Sequence, residues 1–277
     1  EQYTVFGRVT PEQKRKLVYA LKAAGKTVAM TGDGVNDVLA LKAADCSVAM
    51  ASGSEAAAQS AQVVLLDSDF SGMPQVVLEG RRTVNNIERS ASLFLVKNIF
   101  SLLLAFLSVA FAVQYPLHPT QVTLLSAFTI GIPGFFLALE PNHSIIKGKF
   151  IKNVLMRSLP AGITDMLAVV GIVIAGRNLA LAEEEVSTAA TLVLIVVGLM
   201  VVAGASIPFN RFRAAITGVC VAGIVFCCVF LHELFVLIPL SMPAVIMLIC
   251  AAASATAIFW TLRFIFMHIT DRRRHNG

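Results

Sequence analysis

The chain carries two kinds of hydrophobic pattern. In residues 1–72, short apolar runs alternate with stretches whose apolar positions recur at helical spacing. The rest of the chain is dominated by apolar stretches of about 20 residues, the length that crosses a membrane as a helix. Alternating short runs and helical patterns predict βα units. We therefore expect a small α/β part over residues 1–80 and a membrane part over residues 81–277.

The first part is predicted to contain a parallel sheet, because repeated βα units place their strands in parallel. The predicted strands are residues 5–9, 27–30, 47–51 and 63–66, and the predicted helices are residues 11–24, 35–44 and 54–61. From residue 72 to 113 the pattern predicts either one long helix or two helices jointed at Gly80.

Six apolar stretches approach or exceed the length needed to span roughly 30 Å of hydrocarbon. The predicted spans are residues 93–113, 122–139, 159–176, 187–207, 214–238 and 242–262. The expected fold class is thus α/β with a parallel sheet, followed by an all-α transmembrane domain of six helices.

Composition and charge support the membrane assignment. Apolar residues make up 57% of the chain and the mean hydropathy is +0.78, which is too high for a soluble domain. Lys and Arg are concentrated before the first stretch, in alternate loops and after the last one. The positive-inside rule then predicts that both termini are cytoplasmic. The net charge of +5 is explained by anionic lipid rather than by nucleic acid.

The segment Thr31 to Asp37 reads Thr-Gly-Asp-Gly-Val-Asn-Asp and lies between a predicted strand and a predicted helix. Ligands of open parallel sheets bind at this end of the strands. Gly32 and Gly34 allow a phosphate to approach the backbone, and Asp33 and Asp37 supply the oxygen ligands that magnesium prefers. The residues favour a magnesium and phosphate site.

The same segment resembles the hinge motif of the P-type ATPases. The resemblance extends upstream to the F-x-R-x-x-P-x-x-K pattern from Phe6 to Lys14, and downstream to 40–45 and 48–50. It implies that residues 1–80 are the carboxyl half of a haloacid-dehalogenase-like phosphorylation domain. It also implies ATP as substrate, Mg²⁺ as cofactor and a transported cation.

The resemblance assigns roles to several residues of this sequence. Asp33 would hold the magnesium ion, Asp37 would support it, and Lys14 would contact the phosphorylated aspartate. The motif residues Thr31 and Gly32 are included in the catalytic set, and Asn36 joins Lys14 as a cofactor-binding residue. The aspartate nucleophile of the family lies in a D-K-T-G-T segment, which is absent from this sequence. The chain starts at Glu1 and is expected to be the carboxyl-terminal third of a pump, inactive without the missing amino-terminal part.

Polar residues inside the spans are candidates for the ion path, because charge is costly there. The candidates are Asn98, Ser101, Ser126, Thr129 and Asp165. The break Gly131 to Gly134 in the second span favours an ion site.

The resemblance places Asn98 on a ligand position, whereas two acidic ligands of reticulum-type calcium pumps are replaced by Ser101 and Ile130. Calcium is nevertheless the first expectation for the ion. Asp165 could instead be a hydrogen-bonded structural residue. Lys97 is expected to extend to the cytoplasmic surface, and Glu140 to cap the second span at the interface.

The leading interpretation is a cation pump of a bacterial cell membrane. A lipid-translocating P-type ATPase shares the six spans, but that group usually has alanine where Val35 stands. A membrane fragment that binds or regulates a full pump is a further alternative.

Overall fold

The computed structural model describes residues 4–111, 115–146 and 148–275. Internal contacts divide the chain into two compact units, one up to Glu79 and one from Gly80 onward. The strands are β1 (Ala29–Gly32), β2 (Cys46–Met50) and β3 (Val63–Leu65). The helices are α1 (Pro11–Ala23), α2 (Val38–Ala43), α3 (Glu55–Ser60), α4 (Met73–Phe111), α5 (Pro119–Ser126), α6 (Ile132–Leu139), α7 (Phe150–Asn178), α8 (Glu183–Ala205), α9 (Arg211–Phe230) and α10 (Met242–His275).

The first unit contains a three-stranded parallel sheet in the order β1-β2-β3. Thr31 pairs with Val48, and Ala49 pairs with Val64. The predicted parallel α/β class is therefore confirmed. Between β1 and α2, the chain makes one turn of 3-10 helix over Val35–Asp37.

Local sequence signals fix the helices of this unit. The Thr10 hydroxyl accepts a hydrogen bond from the Gln13 amide, and the Gln13 side chain accepts one from the Thr10 amide, so α1 begins with a reciprocal cap. Val18 of α1 is buried with Val28 and Ala40, and this contact holds the helix beside β1 and α2.

The predicted strand over residues 5–9 is wrong, because these residues are not in a strand. Val5 is 86% exposed and Phe6 is 53% exposed. Arg8 has a φ of 55°, which interrupts an extended backbone. An apolar run forms a strand only where it pairs with a sheet edge, and residues 5–9 pair with neither β1 nor β3, the two edge strands of the described sheet.

The second unit confirms the predicted six-helix membrane class. Six helices are long and apolar enough to cross a membrane within the described residues. They cover Phe70–Ala110, Pro119–Leu139, Phe150–Asn178, Glu183–Ala205, Arg211–Phe230 and Met242–His268.

The predicted fifth span is too long, because α9 ends at Phe230 and the Leu237 amide donates to the His232 carbonyl in a following turn. The predicted end of the first span at residue 113 lies outside the described residues. Helix α4 is assigned as a single helix from Met73 to Phe111, which includes Gly80.

The second span contains the predicted irregularity. A π-helical turn over Ala127–Gly131 separates α5 from α6, and Pro133 follows it. Pro133 has no amide hydrogen, so a regular helical hydrogen bond is lost one turn earlier. Such π-turns are frequent at functional sites.

Candidate functional site

The carboxyl end of β1 presents the motif residues to solvent. β1 ends at Gly32, and Asp33 follows it directly. The side chains of Thr31, Asp33 and Asn36 are exposed, whereas Asp37 is 7% exposed. The two carboxylates of the motif therefore have different environments.

Asp37 is held by three neighbours. Its Oδ1 lies 2.6 Å from the Lys14 Nζ, and its Oδ2 accepts a hydrogen bond from the Gly34 amide at 3.3 Å. A Cβ atom on Gly32 would lie 2.5 Å from the Asp37 Cβ. Gly32 is thus required by the close approach of Asp37, and Asp37 fixes the ammonium group of Lys14.

Asp33 has no side-chain hydrogen bond or ion pair among the described residues, so its carboxylate is open to a ligand. Its backbone is fixed from the neighbouring strand, since the Ser54 amide donates to the Asp33 carbonyl at 2.6 Å. A Cβ atom on Gly53 would lie 2.4 Å from that carbonyl oxygen. The loop after β2 therefore supports the loop after β1.

Sequence reasoning missed this second loop. Its position follows from the topology, because only two residues separate Gly53 and Ser54 from the end of β2, and Ser54 caps α3 through its hydroxyl. Parallel strands bring the loops at their carboxyl ends together.

These residues fit magnesium bound through one carboxylate. No group of three or more His, Cys, Asp or Glu side chains forms a metal cluster in the part of the chain that the structure describes. Magnesium is commonly bound through one or two carboxylates together with phosphate oxygens and water. The open carboxylate of Asp33 meets that need, while Asp37 is engaged by Lys14.

A further ion pair stabilises the sheet beside the motif. Asp45 lies 2.8 Å from Lys22 and accepts a hydrogen bond from the Val28 amide at 2.9 Å. The Lys22 hydrogen bond, followed by that of Val28, lowers the pKa of Asp45 below its ordinary value. Asp45 thereby connects α1 with the chain entering β1.

In the membrane unit, Thr129 and Asp165 line one small cavity of about 20 Å³ together with Lys97. Asp165 is 5% exposed, and its Oδ1 has no hydrogen-bond partner among the described residues. Thr129 donates to the Leu125 carbonyl within its own helix. The cavity is large enough for one water molecule or a small ion.

The other predicted ion-path residues lie elsewhere. Asn98 is exposed on α4, and Ser126 donates to the Val122 carbonyl. Ser101 is half-buried on α4. The structure therefore brings Thr129 and Asp165 together, and adds Lys97 in place of Asn98. This position of Lys97 differs from its predicted extension to the cytoplasmic surface.

Glu140 follows α6 at the centre of a charged cluster. It accepts hydrogen bonds from Arg213 and Asn210, and Arg89 lies 3.8 Å away. Burial raises the pKa of Glu140, but the hydrogen bonds from Arg213 and Asn210 and the nearby guanidinium charges outweigh it and lower that pKa.

Together, a parallel α/β unit with an open aspartate after β1 and a unit of six membrane-capable helices define a multi-pass membrane protein with a haloacid-dehalogenase-like head. The family model for haloacid dehalogenase-like hydrolases matches residues 1–45.

Three relatives are similar to this chain over most of its length. The calcium-transporting ATPase CtpE of Mycolicibacterium smegmatis is 43% identical over 87% of this chain and 33% of its own length. The protein of the same name from Mycobacterium tuberculosis is 45% identical over 78% of this chain and 29% of its own length. The probable cation-transporting ATPase exp7 of Streptococcus pneumoniae is 40% identical over 77% of this chain and 28% of its own length. The chain belongs to the P-type ATPase family and spans about a third of the length of these relatives.

Proposed function

We propose that this chain is the carboxyl-terminal part of an ATP-driven cation pump, with calcium as the transported ion. In this proposal, residues 1–80 form half of the phosphorylation domain and residues 81–277 form the membrane domain. The observation that carries it is the strand-to-helix turn in which Asp33 is open and Asp37 holds Lys14 at 2.6 Å. Similarity to proteins named as calcium and cation transporters supports the choice of substrate.

The head residues have separate roles in phosphoryl transfer. Asp33 would hold Mg²⁺, which when bound neutralises phosphate charge. Asp37 orients the Lys14 ammonium, which contacts the phosphate of the aspartyl intermediate. Thr31 and Asn36 are exposed beside Asp33 and contribute hydrogen-bonding groups to the phosphate and ATP. The phosphorylated aspartate belongs to the amino-terminal part of the same pump, so this chain alone is expected to be inactive.

The cavity containing Asp165 supplies the ion-binding group of this chain. A buried carboxylate oxygen without a partner carries a large desolvation cost, which a bound cation would offset. Thr129 lies at the π-turn, where the helical hydrogen-bond pattern is interrupted. Asn98, Ser101 and Ser126 remain candidates for the ion path.

We place the pump in a bacterial cell membrane with both termini in the cytoplasm. The positive-inside distribution of Lys and Arg supports this orientation. The similarity to bacterial proteins supports a bacterial membrane. Its partners are then membrane lipid, the transported cation and the rest of the pump.

The test is ATP-driven uptake into inverted membrane vesicles that contain the complete polypeptide bearing this chain. Calcium, sodium, magnesium and manganese are supplied one at a time, and a fluorescent phospholipid is followed in parallel. We expect calcium uptake that Asp33→Asn abolishes and Asp67→Asn leaves unchanged. Phospholipid translocation without cation uptake would instead support a lipid-translocating ATPase. Absence of both, with the chain bound to a separate pump, would support a regulatory role.

A further inference from the structure

A second cavity, of about 590 Å³, lies in the membrane unit between α4, α7, α8 and α10. It is found where α7 begins and α8 ends, at the ends of the apolar helices. Among the residues that the structure describes, its ionisable lining consists of three arginines and one glutamate, so this lining has an excess of positive charge. These residues are Glu88, Arg89, Arg157 and Arg263.

Two of the arginines already have carboxylate partners. Arg157 lies 3.2 Å from the buried Glu88, which also accepts a hydrogen bond from Asn153 at 3.1 Å. Arg89 donates to the Leu137 carbonyl and lies 3.8 Å from Glu140. The side chain of Arg157 is nevertheless 60% exposed, so part of its guanidinium group is available.

Arg263 has no carboxylate partner among the described residues. Its guanidinium carbon lies 5.2 Å from the centre of the Trp260 ring. A Cβ atom on Gly204 would lie 2.6 Å from its Nη1, so the absence of a side chain at Gly204 makes room for this arginine. Arg157 and Arg263 line the same cavity, so their like charges repel each other. An anion between them would relieve that repulsion.

The remainder of the lining is mixed. Asn85, Asn142 and Ser144 contribute polar groups, whereas Ile145, Phe259 and Met267 contribute apolar surface. A ligand that complements this cavity has a negative charge at one end and apolar groups at the other. Arginine matches phosphate through paired hydrogen bonds.

We propose that this cavity binds the headgroup of an anionic phospholipid, with its phosphate between Arg157 and Arg263. The position at the ends of the membrane helices is the depth at which headgroups lie. A soluble phosphate ester shares the charge of this ligand but lacks the chain that would contact Phe259 and Met267. The inference does not depend on ATP hydrolysis or on the identity of the transported ion.

The experiment measures lipid retained by the detergent-purified chain, by native mass spectrometry. The probes are phosphatidylglycerol, phosphatidylcholine with the same acyl chains, and glycerol 3-phosphate. We expect phosphatidylglycerol to bind at least about tenfold more tightly than either of the others, which corresponds to about 1.4 kcal/mol.

Variants locate the site. Arg263→Gln is expected to weaken phosphatidylglycerol binding about fivefold, the effect typical of one basic residue at a lipid surface. Arg177→Gln, at the opposite end of α7 and exposed, is the matched control and should leave binding unchanged. Gly204→Ala keeps every charge but displaces Arg263, so it should weaken binding as well.

Equal retention of phosphatidylglycerol and phosphatidylcholine would overturn the proposal, as would equal effects of Arg263→Gln and Arg177→Gln. If glycerol 3-phosphate bound as tightly as phosphatidylglycerol, the lipid proposal would be wrong and the ligand would be a soluble phosphate ester. Thermal unfolding of each variant separates loss of the site from loss of the fold.

Discussion

Asp37 and Asp165 are both buried aspartates, with exposed fractions of 7% and 5%, but their surroundings differ. Asp37 pairs with Lys14 at 2.6 Å and accepts a hydrogen bond from the Gly34 amide. Asp165 has an Oδ1 atom without a partner in the described chain. Burial of a charge is tolerated when it is paired and hydrogen-bonded, and is costly otherwise.

The difference indicates that the two carboxylates have different roles. A carboxylate whose partners are already present positions a neighbouring group, in this case the Lys14 ammonium. A carboxylate that lacks a partner retains binding capacity for a ligand such as a cation. An aspartate therefore positions the Lys14 ammonium in the head and, in our proposal, another aspartate binds a cation in the membrane unit.

The largest expected effect on stability comes from crowding Asp37. Gly32→Ala would place a Cβ atom 2.5 Å from the Asp37 Cβ, and overpacking of this kind costs up to about 3 kcal/mol. Hydrogen exchange of the β1 and α2 amides in the full chain should show the loss. Gly34→Ala is the matched control, because its Cβ would lie at an ordinary 3.6 Å from the Asp37 Oδ2. Equal effects of the two variants would show that the tight packing around Asp37 is not required.

The next largest effect comes from removing the partner of Asp37. Lys14→Met leaves a buried carboxylate with the Gly34 amide alone, and we expect a loss of about 2 kcal/mol in local stability. The value is below that of a fully buried pair because the Lys14 side chain is 35% exposed. Arg15→Met, which removes an exposed pair with Glu12, should cost much less in the same exchange measurement. A larger loss for Arg15→Met would contradict the assigned role of the Lys14 pair.

Substitution of Asp165 is expected to change the free energy of unfolding in the opposite direction. Asp165→Asn replaces a buried carboxyl group whose Oδ1 has no hydrogen-bond partner among the described residues, so the free energy of unfolding should stay the same or rise by about 1 kcal/mol. Thermal unfolding of the chain in detergent measures this change. Thr164→Val, which alters the neighbouring buried hydroxyl bonded to the Pro160 carbonyl, is the control for packing. Clear destabilisation by Asp165→Asn alone would show a structural role for this carboxylate.

The smallest effect concerns Glu140, whose pKa is lowered in the folded chain. Its contribution is therefore present above the ordinary value of 4.5 and is lost as the pH falls through the lower folded pKa. Glu140→Gln should reduce protection of the amides after α6 by about 1 kcal/mol at neutral pH. The difference from the unmodified chain should disappear in acid. A difference that persists below that pKa would contradict the ionic account.

Local signals made much of the fold predictable. The six spans follow from hydropathy alone, and the turn from Thr31 to Asp37 follows from its glycines and aspartates. The strand predicted over residues 5–9 failed because an apolar run does not reveal whether a sheet edge pairs with it. The contact of Gly53 with Asp33 joins two loops that are distant in sequence, so no local pattern encodes it.

The ion-path residues show the same limit within one helix. Lys97 and Asn98 are consecutive, so they point about 100° apart on α4. Which of them faces the cavity depends on the rotation of the helix against α7 and the second span. Hydropathy does not fix that rotation, and the structure turns Lys97 toward the cavity and leaves Asn98 exposed.

The most direct test is the calcium dependence of phosphorylation by ATP in the complete pump, compared between Asp37→Asn and Asp165→Asn. We expect Asp165→Asn to raise the calcium concentration for half-maximal phosphorylation about tenfold, equivalent to about 1.4 kcal/mol of binding. Asp37→Asn should instead lower the maximal phosphorylation and leave the half-maximal concentration unchanged. An unchanged calcium dependence in Asp165→Asn would contradict the assignment of Asp165 to the ion site.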